Sequence, residues 1–246
     1  MNILPASIVV AGIIISGGLV LSGEKLEDSS PVSRLPGVSV AEASELPVVW
    51  GDLGPQLVEA GVIEEERFRA LYQERGGISA PNEILLSGNA DGNMMITEEN
   101  AGFILNLLWA LGLGNKNPVL EEGEMSDPRY GGAGNFASTG GWMLARGDAM
   151  DHYSQHEFVT LTPEEQALVD KVSRNIYRPC CANSAHFPDC NHGMAMLALL
   201  ELMASQGANE AEMYESAIKV NSYWFPGYGG TVPKAQSVPR AGGCSV

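Results

Sequence analysis

The chain has 246 residues and 30 acidic against 14 basic side chains, for a formal charge of −16. That balance argues against nucleic acid or an anionic lipid surface as a partner, since both require a basic face. A hydrophobic content of 45% supports a packed core and excludes wholesale disorder.

In chain order, residues 3–22 (ILPASIVVAGIIISGGLVLS) run for twenty positions without a charge, long enough to span a bilayer core as a helix. No basic stretch precedes them and no A-x-A site follows, so an uncleaved anchor is favoured over a signal peptide. Residues 1–22 are therefore expected to be a transmembrane anchor, 23–46 a Ser/Pro/Glu-rich tether, 47–226 one globular domain and 227–246 a disordered tail carrying Cys244. The expected architecture is mainly α: an N-terminal transmembrane helix, then one helical globular domain with a long Gly-rich loop. Four cysteines in an anchored chain suggest an oxidising compartment and a single-pass cell-membrane protein with its domain on the extracytoplasmic side.

Pro47 to Gly77 reads as two helices: Leu53–Ala60 capped by Asp52, then Glu64–Arg75 with Phe68, Leu71 and Tyr72 on one face. Asn89-Ala90-Asp91-Gly92-Asn93 imitates the start of a calcium loop. Met94 stands where that loop needs glycine and Asn100 where it needs glutamate, so Asp91-Gly92 is read as a tight turn. Thr97 caps an apolar helix to Leu113. Residues 115–147 are rich in glycine and turn dipeptides, and are expected to form an ordered excursion leading into the candidate site. Over Asp148–Phe158, a helix would place Asp148, His152 and His156 on one stripe. Tyr153 follows His152, so the HExxH protease pattern is absent. Thr162-Pro163-Glu164-Glu165 is a helix start with a capping box. Further helices begin at Cys190 and at Asn209.

Between Asp148 and His192 lie all four histidines and three of the four cysteines. Cys180, Cys181, Cys190 and His192 are the core ligand candidates, with His186, His152 and His156 secondary. Cys190 and His192 begin a helix, whose free N–H groups and dipole favour a thiolate. Thiolate, imidazole and the thioethers of Met194 and Met196 suit copper best and zinc next. The spacing matches no standard zinc module. Two other readings stay open: a thiol–disulfide redox centre using Cys180, Cys181 and Cys190, or a structural disulfide in a scaffold without chemistry. No G-x-S-x-G or other hydrolytic constellation is present, and no catalytic residue is expected.

The stretches NEILLSGNADGNMMITEENAGFILNLLWALGLGNKNP, YGGAGNFASTGGW and RPCCANSAHFPDCNHGMAMLALLELMASQG resemble a membrane-anchored Cys/His-motif family of candidate-phylum bacteria. That resemblance implies the anchor and the fold rather than an activity. More distantly, residues 172–226 resemble the helical thiol subunit of cytochrome c maturation, and the cysteine motif is similar to PCYCGC-type domains. The family's C-x-x-C is replaced here by adjacent Cys180-Cys181, so its dithiol reaction does not carry over. The resemblance implies a thiol-redox or metal-delivery partner.

Overall fold

The computed structural model describes residues 43–228. The expected anchor at 1–22, the tether up to residue 42, and the tail from residue 229 with Cys244 lie outside the described residues. Among the described residues no helix is long and apolar enough to cross a membrane.

The described residues are mainly α with one small sheet. The elements run β1 (Ser44–Gly51), α1 (Leu53–Ala60), α2 (Glu65–Gln73), α3 (Ala80–Ser87), β2 (Ala90–Ile96), α4 (Ala101–Gly114), α5 (Pro118–Glu121), α6 (Pro163–Ser173), α7 (Asn191–Ser205) and α8 (Glu210–Trp224). Strands β1 and β2 pair antiparallel, with Ser44 opposite Ile96 and Gly51 opposite Ala90. Two corrections follow. The segment 44–51, assigned to the end of the tether and to the start of the two-helix segment, is a strand that buries Leu46, Val48 and Trp50. Asp91-Gly92, read as a tight turn, lies inside β2. Its hydrogen-bond partners lie on a strand distant in sequence, so no local signal could reveal them.

The scaffold of the candidate site is the crossing of α4 and α7. Helix α7 is buried along nearly its whole length, from Gly193 to Ala204. It can approach α4 closely because Gly112 has no side chain: a β-carbon there would overlap the carbonyl of Met194. Helix α6, started by the reciprocal Thr162–Glu165 capping box, packs on the other flank of α7. Helix α8 is opened by Asn209, whose side chain accepts from the backbone N–H groups of Ala211 and Glu212. The Asp52 side chain makes no cap hydrogen bond to α1; it accepts from Gln56 instead.

Residues 115–147 form an ordered excursion of short helical turns, as their glycine content predicts. The expected helix over Asp148–Phe158 does not form: only Ala149–Asp151 makes one 3-10 turn. Ser154 adopts a left-handed φ of 56°, and the chain then pairs alongside Asn115.

Candidate metal centre

The centre sits where the α6–α7 connection enters α7. That connection folds back on itself: Tyr177 bridges to Ser184, the Arg178 N–H donates to the Asn183 carbonyl at 3.1 Å, and the Ala182 N–H donates to the Arg178 carbonyl at 2.9 Å. Cys180 and Cys181 ride on this closed loop, which ends with Ala182 in the left-handed region at φ 56°. A non-glycine residue there is strained, and such strain concentrates at functional sites.

The loop brings its two sulfurs onto Cys190, the N-cap residue of α7. The Sγ atoms of Cys180, Cys181 and Cys190 form a triangle with sides of 3.3, 3.7 and 3.8 Å. None of the three is in a disulfide: the sulfurs are separated by far more than the roughly 2.05 Å of such a bond. Cys180 is exposed, Cys181 half-buried and Cys190 buried. Two ligand groups emerge in which every donor atom lies within 4.8 Å of the others: Cys180, Cys190 and His192, and Cys181, Asp189 and Cys190. The cluster could hold a metal ion.

A fully buried arginine organises these sulfurs. The Arg178 Nη1 donates to Cys190 Sγ at 2.7 Å, while Nη2 donates to the carbonyls of Phe187 (2.6 Å) and Ser184 (3.0 Å). Nη2 also meets Asp189 Oδ1 at 2.7 Å, both side chains being wholly excluded from solvent. Asn183 Nδ2 completes the set by donating to Asp189 Oδ2 at 2.8 Å. Gly193, one turn into α7, has to be glycine: a β-carbon would overlap the Arg178 guanidinium and come within 2.9 Å of Pro188 Cα.

This environment separates the thiols electrostatically. Contacts with Cys180 and Cys181 stabilise the Cys190 thiolate, His192 and the Arg178 charge reinforce them, and together they outweigh burial; its pKa falls far below the ordinary thiol value. Cys180 is relieved by Cys181, but Cys190 and burial dominate and push it up to about 12. Cys181 is raised by its contacts with Cys180 and Cys190 and by burial. Burial alone would discharge Arg178, yet the negative charges at Cys190 and Asp189 hold it firmly protonated. In the metal-free centre the negative charge is thus favoured on Cys190 over Cys180 and Cys181.

The structure distributes the remaining sequence candidates elsewhere. His186 is buried beside α6, 4.0 Å from Asp170, and lines a surface hollow with Arg174 and Glu122. His152 and His156 share a hydrogen bond at 3.1 Å, and His152 Nε2 is bound to the Arg146 carbonyl at 2.9 Å. Neither pair joins the cysteines in a ligand group among the described residues. Met194 packs against Gly112 in the α4–α7 crossing, so its thioether is core. Arg178, Asp189 and Asn183 were not singled out by sequence. The available signal was an arginine and an aspartate flanking the cysteines in a segment with no amphipathic period. No family model, curated protein or solved structure matches the chain.

Proposed function

We propose that the chain is a metal-binding protein whose centre takes one zinc ion on Cys180, Cys181, Cys190 and His192. The sulfur triangle carries the reading. An ion about 2.3 Å from all three sulfurs would stand about 1 Å out of their plane, close to the offset of a tetrahedral ion above three of its ligands. A planar three-coordinate ion would need sulfurs about 4 Å apart at the same bond length. For the fourth ligand His192 is favoured over Asp189, whose two oxygens are already committed to Arg178 and Asn183. Around it, the His192 ring is held by Trp224 and Phe225, with centroids at 5.7 and 4.5 Å. The Arg178 donation to Cys190 supplies the outer-shell hydrogen bond that orients a metal-bound sulfur.

A second reading, copper(I) on Cys180, Cys190 and His192 with Cys181 free, is favoured by the compactness of that three-donor group. In both readings residues 1–22 anchor the chain in the membrane and the centre faces the extracytoplasmic side, where a metal-delivery or thiol-redox partner meets it. Elemental analysis of the reduced full-length chain is expected to return about one zinc per chain, lost in Cys190→Ser. Because Cys180 and Cys181 start protonated, binding of a divalent ion releases about two protons and strengthens as pH rises. No metal after reconstitution, or an unchanged content in Cys190→Ser, would overturn the proposal.

A further inference from the structure

Of the three clustered thiols, only Cys180 is exposed; Cys190 lies behind it at 3.7 Å and is held in place by Arg178. A surface sulfur backed by a buried, oriented one is the arrangement thiol–disulfide exchange requires, because the first can be attacked or attack from solvent and the second can resolve the product. The displacement needed is small. The Cys180–Cys190 gap of 3.7 Å has to close to a bond of roughly 2.05 Å, and Cys180 stands on a short loop that carries a strained residue at Ala182. A bond between the adjacent Cys180 and Cys181 would instead close a small ring through their own peptide.

Resting on the metal-centre reading, we infer that the same sulfurs carry a second activity: exchange with small-molecule disulfides, which expels the bound ion. The Cys180 sulfur, deprotonated as a ligand of the ion, attacks one sulfur of the incoming disulfide, forming a mixed disulfide and releasing the first thiolate. The Cys190 sulfur then attacks Cys180 Sγ, forming the Cys180–Cys190 bond and releasing the second thiolate. Two protein sulfurs lose two electrons, the incoming disulfide gains them, and the metal leaves as an unchanged divalent ion. Cys181 and His192 remain, too few donors to retain it.

The test uses full-length Cys244→Ser protein, which removes the one cysteine outside the cluster. The zinc-loaded protein is mixed with oxidised glutathione, while released zinc is read with a chromogenic chelator and disulfides are mapped by mass spectrometry. The expected result is one Cys180–Cys190 disulfide and two glutathione thiols per zinc released, with Cys181 still open to alkylation. Adding Cys180→Ser is expected to lower the glutathione thiol released from the metal-free protein from about two per chain to about one, because the Cys180–Cys190 bond can no longer form; its exposed position leaves folding intact. Zinc retained against excess oxidised glutathione would overturn this inference and leave the metal reading standing. A disulfide mapped to Cys181–Cys190 would do the same. Protein that takes up no zinc at the outset would overturn both.

Discussion

Replacing Arg178 with methionine is expected to lower the stability of the reduced, metal-free protein by about 3–5 kcal/mol, the cost of stranding one partner of a buried ion pair. The guanidinium has no solvent exposure and makes donations to one sulfur, two carbonyls and one carboxylate. Its removal leaves Asp189 buried with Asn183 and the long contact to the Cys181 thiol, and leaves Cys190 without its positive neighbour. Zinc affinity should fall as well, by about 10- to 100-fold, as for other losses of outer-shell support. Arg178→Lys should rescue little, since one ammonium cannot reproduce a forked set of donors. The double variant Arg178→Met/Asp189→Leu should recover part of the lost stability, because the stranded carboxylate goes with its partner. Denaturant midpoints of the four proteins measure this. A loss below about 1 kcal/mol in Arg178→Met would show that the buried pair does not hold the loop.

Glu201→Gln is expected to stabilise the protein at alkaline pH. Glu201 lies in the buried stretch of α7; its Oε2 accepts from Asn115 Nδ2 at 2.6 Å and its Oε1 is buried without a partner. Burial pushes its pKa up to about 8 despite the Asn115 hydrogen bond. The folded state therefore holds a proton that the unfolded chain gives up near 4.5. Stability from this group is full below about pH 4.5, falls by about 1.4 kcal/mol per pH unit above it, and levels off above about pH 8. The accumulated loss is about 3–5 kcal/mol, which glutamine avoids by staying neutral. His156 and His186 act in the opposite sense. Both are held below the usual imidazole value, chiefly by burial and then by His152 and Arg174 respectively, and they weaken the fold as pH falls through 6.5. Subtracting the variant's stability from that of wild type at each pH cancels their effect. A difference that does not change between pH 5 and 8 would show that Glu201 is ionised throughout.

Both predictions concern groups that sequence reasoning passed over, for a shared reason. Helix starts were legible because their chemistry is local: the Thr162–Glu165 box opens α6, and Asn209 opens α8. Strands β1 and β2 were not, because each is defined by a partner far along the chain and β2 reads Ala-Asp-Gly-Asn at its start, a turn-like sequence. At the candidate site, the density of cysteine and histidine drew attention to the correct loop, and the start of α7 at Cys190 fixed where two donors stand. Which histidine joins the sulfurs was hidden. His186 is closer to Cys190 in sequence than either cysteine of the pair, yet its backbone N–H donates to the Ser173 carbonyl and turns the residue toward α6. His152 and His156 meet each other through a turn rather than along a helix. Arg178 could not be recognised as buried, since the carboxylate and thiolate that stabilise it there come from the far end of the loop.

The most direct measurement of the central claim is X-ray absorption at the zinc edge of the reduced, zinc-loaded full-length protein. The account predicts a four-coordinate ion with three sulfurs at about 2.3 Å and one imidazole nitrogen at about 2.0–2.1 Å, the set proposed on Cys180, Cys181, Cys190 and His192. A shell of nitrogen and oxygen alone, or one containing fewer than three sulfurs, would contradict it.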